Sequence, residues 1–373
     1  MKMLERLFPI CLGMSFLSLA FCARGDSGNE KAKEETDRPC VSTLVSSAHG
    51  DSAILVRKGG FPPPPKDLPG LPVTYRNDVY EISLLDLPST GTQTLEINKT
   101  GRVTGWAGAL ISMIPPVSAA RSERERTTLL AMCVQTGASN FRLAWIPDSG
   151  NQDKIVWRQI HDVFPRGKKR ALENRLNCLL SPCVLYFKND FVIAGSCVFP
   201  GGRVWAGKAA NIRKDMKLSP QGGLEDATIL GMGGAPALFE HKGRLYCRSI
   251  RSTPRTSPGT GRFQEVVGWV SADGDNWMEW EPGVPLESVD ALRVYEDDGT
   301  VYLACWETGA NAAISVFKMT DLAKGFELVS TVPPGPGQSS AEAVGVRKKS
   351  SQLQILRLSK ENDKDTLRFQ TVE

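Results

Sequence analysis

Histidine is scarce: His49, His161 and His241 are the only three in 373 residues. That excludes a centre built from many histidines and the paired-histidine helix of zinc peptidases. Excess charge is missing as well. The 45 basic and 41 acidic residues leave a formal net charge of +4, too little to imply nucleic acid or a charged membrane surface as a partner. Helical periodicity is also rare. Leu172, Leu176, Leu179 and Leu180 predict one short helix over 171–180, and Ser122 with Glu125 has the spacing of a capping box. What is abundant is ordinary for a folded chain, with 41% hydrophobic and 23% charged residues. The 35 Gly and 24 Pro supply many turn signals.

Lys2 and Arg6 precede an apolar run from Leu7 to Phe21 that Pro9 and Gly13 interrupt. This is the pattern of a secretory signal peptide over residues 1–22, too short and broken for a membrane span. Two processing routes are open. Ordinary signal peptidase fits Ser18-Leu19-Ala20 or Ala20-Phe21-Cys22. Alternatively, Leu19-Ala20-Phe21-Cys22 resembles a bacterial lipobox and would place a lipid on Cys22. Residues 23–38 are polar and charged, a tether with too little apolar surface to fold. The chain is therefore expected to be exported, as a periplasmic, envelope-tethered or secreted protein. A membrane would be reached only through the N-terminal lipid. Residues 39–373 are expected to form one domain.

Four of the nine cysteines end short apolar runs: Cys133 in LLAMC, Cys197 in VIAGSC, Cys247 in RLYC and Cys305 in VYLAC. A recurring slot of this kind reads as a buried free thiol. Cys178 and Cys183 are near enough in sequence to pair, and Cys40 has no evident partner.

Aligning the apolar runs exposes a repeat. SPCVLYFKNDFVIAG, APALFEHKGRLYCRS, DALRVYEDDGTVYLAC and EAVGVRKKSSQLQILRL each read as strand, polar turn, strand. Their turns recur roughly every fifty to sixty residues, the period of a four-stranded unit. STLVSSAHGDSAILVR forms an earlier hairpin, and GALISM with TLLAMCV another, separated by a charged insertion. Further strand pairs turn at Asp86, Asp148, Asp215, Asp273 and Asp321. The fold class predicted is all-β, a β-propeller of six four-stranded blades, with five as the alternative. The strand near 40–46 would close the ring by completing the last blade.

Ser271-Ala272-Asp273-Gly274-Asp275-Asn276-Trp277 resembles the Asp box of the sialidase-like, BNR-repeat propellers, one residue shorter than usual. Over roughly 181–325, Pro-x-Leu-Phe, Gly-Arg-Leu-Tyr, Arg-Ser and the Asp box follow in the order of sialidase-like and related glycosidase propellers. The resemblance implies a structural turn in which the carboxylate accepts backbone N–H groups and Trp277 packs between sheets. It also implies a carbohydrate ligand and a glycoside hydrolase as the enzyme class. Departures are clear. There is no Phe-Arg-Ile-Pro motif near 38–60, and all six Tyr precede residue 303, so a typical sialidase is not expected.

In a propeller, the second-to-third-strand and inter-blade connections surround the channel mouth. That end would collect Trp106, Arg175, Glu225, Asp226, Asp290 and Glu342 from inter-blade segments. Arg248, Arg251, Trp306 and Glu307 would join them from the ends of second strands. The insertions 59–77 and 252–263 would wall the site. Tryptophan stacks on sugar rings and arginine pairs with carboxylates. Glycoside hydrolysis needs two carboxyl groups, one protonated and one ionised, and Asp290, Glu342 and Glu225 are the candidates. Without catalysis the same surface would serve a tethered glycan- or protein-binding propeller. No cofactor or metal is implied, the Arg166–Arg170 basic run reads as a solvated loop, and a monomer is expected.

Overall fold

Short runs rich in Val, Ile, Leu, Phe and Tyr, cut by polar turns, bury both faces only when sheets stack on sheets. The computed structural model shows such stacking. It describes residues 40–46, 52–58, 75–87, 92–94, 101–108, 117–136, 138–149, 154–169, 171–199, 202–215, 219–254, 262–280, 291–306, 313–321, 324–333, 342–349, 351–361 and 364–372.

The first sheet contains β1 (Cys40–Ser46), β2 (Ser52–Lys58), β3 (Tyr75–Asp86) and β5 (Gly101–Gly108). It continues through β6 (Val117–Ser122), β7 (Thr127–Thr136), β8 (Ala138–Pro147) and β9 (Val156–Ile160). The second holds β10 (Asp162–Pro165), β11 (Asn177–Phe187), β12 (Asp190–Phe199), β13 (Arg203–Lys208), β14 (Ile212–Asp215) and β15 (Ser219–Met232). The third is β16 (Gly234–His241), β17 (Arg244–Pro254), β18 (Arg262–Ser271) and β19 (Trp277–Glu279). The fourth is β20 (Ala291–Asp297), β21 (Thr300–Trp306), β22 (Ile314–Met319) and β23 (Glu327–Val332). The fifth combines β24 (Glu342–Lys349), β25 (Gln352–Glu361) and β26 (Lys364–Thr371) with β4 (Thr92–Thr94).

These are the blades of a β-propeller, and as hydrogen-bonded sheets there are five, the alternative number rather than six. The expected first two blades fuse because β1 pairs in parallel with β6, Val45 opposite Ala119 and Ser46 opposite Ala120. The first strand of each four-stranded meander faces the axis. Those strands touch in the order β1, β6, β11, β16, β20, β24 and back to β1. Gly345 permits the last contact, since a Cβ there would collide with the Leu44 side chain.

Several expectations are corrected. Strand β1 does not complete the last blade; β4 does, pairing with β26 through Thr92, Gln93 and Thr94. The charged insertion after GALISM contains β6 itself, while residues 109–116 lie outside the described residues. The helix over 171–180 is absent: a single 3-10 turn covers Leu172–Asn174, and β11 starts at Asn177 because pairing with β12 claims the backbone. Ser122 Oγ accepts the Glu125 N–H at 3.1 Å, but caps the β6–β7 turn rather than a helix. The pair around Asp215 is a small hairpin of β14 with β15, outside the main strand path.

Apolar clusters fill the spaces between meanders. One centres on Phe141, Leu143, Ile193 and fully buried Trp205. The next joins Val192, Val204, Leu245, Cys247 and Trp269. Cys133, Cys197, Cys247 and Cys305 are buried and free, as the recurring slot implied. Cys178 and Cys183 form no disulfide, so that pairing does not occur; Cys183 Sγ instead accepts the Leu238 N–H. Burial pushes the Cys133 and Cys305 thiols up to about 12, which makes them poor nucleophiles.

Candidate functional site

Antiparallel meanders place the first-to-second and third-to-fourth turns at one end, and all other connections at the opposite end. Between these ends a cavity of about 540 Å³ follows the axis, lined by all six first strands. Its walls at the strand starts are small or apolar, with Val117, Pro182, Pro236 and Ala237. Its turn end is polar, with Arg121, Arg124, Tyr186, Glu240, Tyr295 and Glu296.

The polar side chains are held by their own and neighbouring turns. Arg121 Nη2 reaches Asp148 Oδ2 at 2.8 Å and Glu123 at 3.3 Å. Arg124 Nη1 donates to Asn189 Oδ1 at 2.8 Å. Glu296 Oε1 accepts the Gly299 N–H at 2.9 Å. Burial raises the Glu240 carboxyl above its ordinary value, and the Glu296 charge adds to this against the opposing pull of Lys188. Glu240 and Glu296 thus bring two carboxyl groups to the ends of neighbouring first strands.

Neither Glu240 nor Glu296 was singled out by sequence. Their common signal is position, shared with Arg121: each falls at the last residues of a first strand, just before its turn. Tyr295, which reads as packing in sequence, stacks on Tyr302 with centroids 6.4 Å apart and also lines the cavity.

The predicted site residues scatter. Glu342 opens β24 at the strand-start end of the axis. Asp290, Glu307 and Cys22 lie outside the described residues. Ala291, the first residue of β20, has Trp306 as its register partner. Strands β20 and β24 are neighbours on the axis, so the Ala291–Trp306 pair and the start of β24 belong to one corner of the ring. Trp306 is buried among Val316, Val332 and Ile355, under the Arg293 guanidinium at 5.5 Å.

Others sit elsewhere. Glu225 lies on β15, the strand outside β13, and pairs with Arg213 at 3.4 Å. Asp226 beside it is exposed, in a left-handed conformation at φ 53°, where the strand changes partner. Arg175 Nη1 meets Asp162 Oδ1 of β10 at 3.3 Å. Arg251 stands opposite Glu265 across β17 and β18. Trp106 lies on β5, opposite Asn77 of β3. Arg248 is fully buried between the third and fourth sheets, its guanidinium 4.2 Å from the Trp280 ring centre and 4.7 Å from that of Phe326. Burial lowers its pKa to about 9, and the two ring faces offset part of the desolvation. Of the insertions, 59–74 and 255–261 lie outside the described residues.

The Asp-box turn has the structural role implied by its residues. Asp273 Oδ1 accepts the N–H groups of Asp275 at 2.9 Å and Asn276 at 2.8 Å, while Asn276 Nδ2 donates to Oδ2 at 2.7 Å. These bonds, the Asn276 backbone first, hold the carboxyl far below the usual range. Trp277 Nε1 closes the turn on the Gly274 carbonyl at 3.2 Å.

Among the described residues no group of three or more His, Cys, Asp and Glu is arranged to hold a metal ion. No family model matches the chain, and no curated protein sequence matches it. Among solved structures, a thermostable family-43 glycoside hydrolase is similar at 11% identity over 69% of this chain and 89% of that one, TM-score 0.41. A B. megaterium levansucrase variant is similar at 9% over 71% of this chain and 82% of its own, TM-score 0.45. Trypanosoma rangeli sialidase, solved with the inhibitor DANA, is similar at 10% over 89% of this chain and 54% of its own, TM-score 0.45. At such scores these likenesses do not bear on ligand or reaction, and the architecture rests on the strand pairing above.

Proposed function

We propose that this propeller binds a glycan at its axis and hydrolyses it through paired carboxyl groups, with Asp290 and Glu342 as the first pair. The observation that carries the reading is the axial cavity of about 540 Å³, a suitable size for sugar rings, with arginine, tyrosine and carboxyl groups at its turn end. In this reading Asp290, which precedes β20 in the chain, and Glu342, which opens β24, supply the two carboxyl groups. The carboxyl that keeps its proton donates it to the leaving oxygen, and the ionised one acts as nucleophile or activates water. The chemistry asks for no cofactor. The resemblance to sialidase-like, Asp-box propellers supports the same substrate class, and the signal-like N-terminus supports export, with Cys22 lipidated or removed.

A binding module without turnover is the second reading. It is favoured by the fate of two candidates: Glu225 is engaged by Arg213 on an outer strand, and Arg248 lies between aromatic rings.

The test is a glycan array followed by hydrolysis assays on the bound glycans with the protein from residue 38 onward. Catalysis at the strand starts requires that Asp290→Asn or Glu342→Gln abolish turnover and spare binding. Loss of turnover in Glu240→Gln or Glu296→Gln alone would move the chemistry to the turn end. Binding with no turnover in the unaltered protein would establish the module. Absence of binding to any glycan would end the carbohydrate reading.

A further inference from the structure

Away from the axis, a second cleft of about 360 Å³ opens between β8 and β9 on one side and β14 with its preceding 3-10 turn on the other. Trp145 forms part of its wall. The indole is half-buried, packed against the Phe141–Trp205 cluster on one side and bordering the cleft on the other. Its cross-strand neighbour on β9 is Val156, which is 45% exposed, an unusual exposure for a large apolar side chain beside a tryptophan.

The cleft is also charged. Lys154 and Arg158 flank Val156 at two-residue spacing, so all three border the cleft, while Ile155 and Trp157 pack into the neighbouring core. Both cations are exposed. Glu125 lines the cleft as well, and the Thr127 hydroxyl donates to the Glu125 carbonyl at 3.1 Å. The half-buried carboxyl of Asp190 lies near enough to feel the Glu125 charge.

We propose that this cleft is a second carbohydrate site, specific for an acidic saccharide. The edge formed by Trp145 and Val156 would take the apolar face of a sugar ring, as aromatic walls do. Lys154 and Arg158 would hold the sugar carboxylate, with arginine offering a planar fork. Glu125 and the Thr127 hydroxyl would meet ring hydroxyls. The volume fits one or two rings. The inference does not depend on the axial reading: no cleft residue lines the axial cavity.

Titration calorimetry on the full chain tests it, with trigalacturonic acid as probe at about 0.15 M salt, where exposed charges are largely screened beyond contact range. The methyl-esterified trimer and triglutamate are the controls. The unaltered protein is expected to prefer the acid to its ester by about tenfold, as loss of a charge-assisted contact implies. Lys154→Gln with Arg158→Gln removes that preference, and because both side chains are exposed the fold is retained, as near-ultraviolet circular dichroism will show. Trp145→Ala weakens the acid and the ester alike. Unchanged acid affinity in the double variant, or no measurable binding of the trimer, overturns the proposal. Equal or tighter binding of triglutamate overturns the saccharide assignment in favour of an acidic peptide.

Discussion

The two interfaces of the β11–β15 meander differ in how their rims end. Toward the β6–β9 meander the interior is apolar and tight: Phe141 and Trp205 lie with ring centres 5.6 Å apart, and Gly195 leaves room for both. Yet its rim stays open as the Trp145 cleft. Toward the β16–β19 meander the interior is as apolar, but the rim is latched. Asp275, in the Asp-box turn, receives Arg166 Nη2 at 2.6 Å and the Lys208 ammonium, and its carbonyl accepts the Thr228 hydroxyl at 2.8 Å. Lys188 adds a bond to the Ala272 carbonyl at 2.6 Å. Apolar burial thus sets the stacking of both interfaces, and polar residues decide whether the edge between blades is closed or left to a ligand.

The largest effect is expected from the open-rimmed interface. Trp205→Ala leaves a cavity against Phe141 and Gly195 and should cost about 3–5 kcal/mol, the range for buried aromatics. Gly195→Ala attacks the same place from the other side. Its Cβ would come within 2.7 Å of both rings, and overpacking of this kind costs about 1–3 kcal/mol. Urea denaturation measures both, and neither loss should depend on salt. A cost below about 1 kcal/mol for Trp205→Ala would show that the apolar interior is not what joins these meanders.

The latch should be weaker and salt-sensitive. Asp275→Ala deletes two ion pairs whose members are a quarter to two-fifths exposed, so solvent screening limits the loss to about 1–2 kcal/mol. At about 1 M salt, where the screening length is near 3 Å, most of that difference should vanish. Persistence of the full difference in high salt would assign it to the turn's shape instead of its charge.

This contrast also marks how far the sequence can be read. Hairpin turns were legible because they need unusual backbone: Asn189, Lys242, Gly243, Gly299 and Ser351 all have positive φ, as turn-forming residues at those places should. The Asp box was legible because its carboxylate acts on its own neighbours. Asp275 was not, since its partners Arg166 and Lys208 lie more than sixty residues away, and the Arg166–Arg170 run reads as solvated until β10 joins β15 and brings it alongside. The fused first sheet and the closure by β4 escaped for the same reason, because parallel and terminal pairings leave no local turn signal. At the site, Glu342 opens β24, one of the first strands that ring the axis. Glu225 was misplaced because an extra hairpin, β14 with β15, moves it to an outer strand.

The smallest expected effect is the most specific. Asp273 is exposed, so replacing it with Asn should cost only about 1 kcal/mol at neutral pH, the loss of charge-assisted bonds discounted for solvent. Its pH dependence identifies the source. The turn's N–H groups hold the folded carboxyl far below its ordinary value, while the unfolded one titrates near 3.9. The unfolded state therefore takes up its proton first as pH falls. The stabilisation is complete above about pH 5 and declines from about pH 4 downward, toward the low folded value. The difference between the unaltered protein and Asp273→Asn, followed by urea denaturation from pH 7 to pH 2.5, should narrow steadily below pH 4. A difference that stayed constant would mean that the turn reads the shape of the side chain and not its charge, and that Asp273, unlike Asp275, contributes no electrostatic term to this edge.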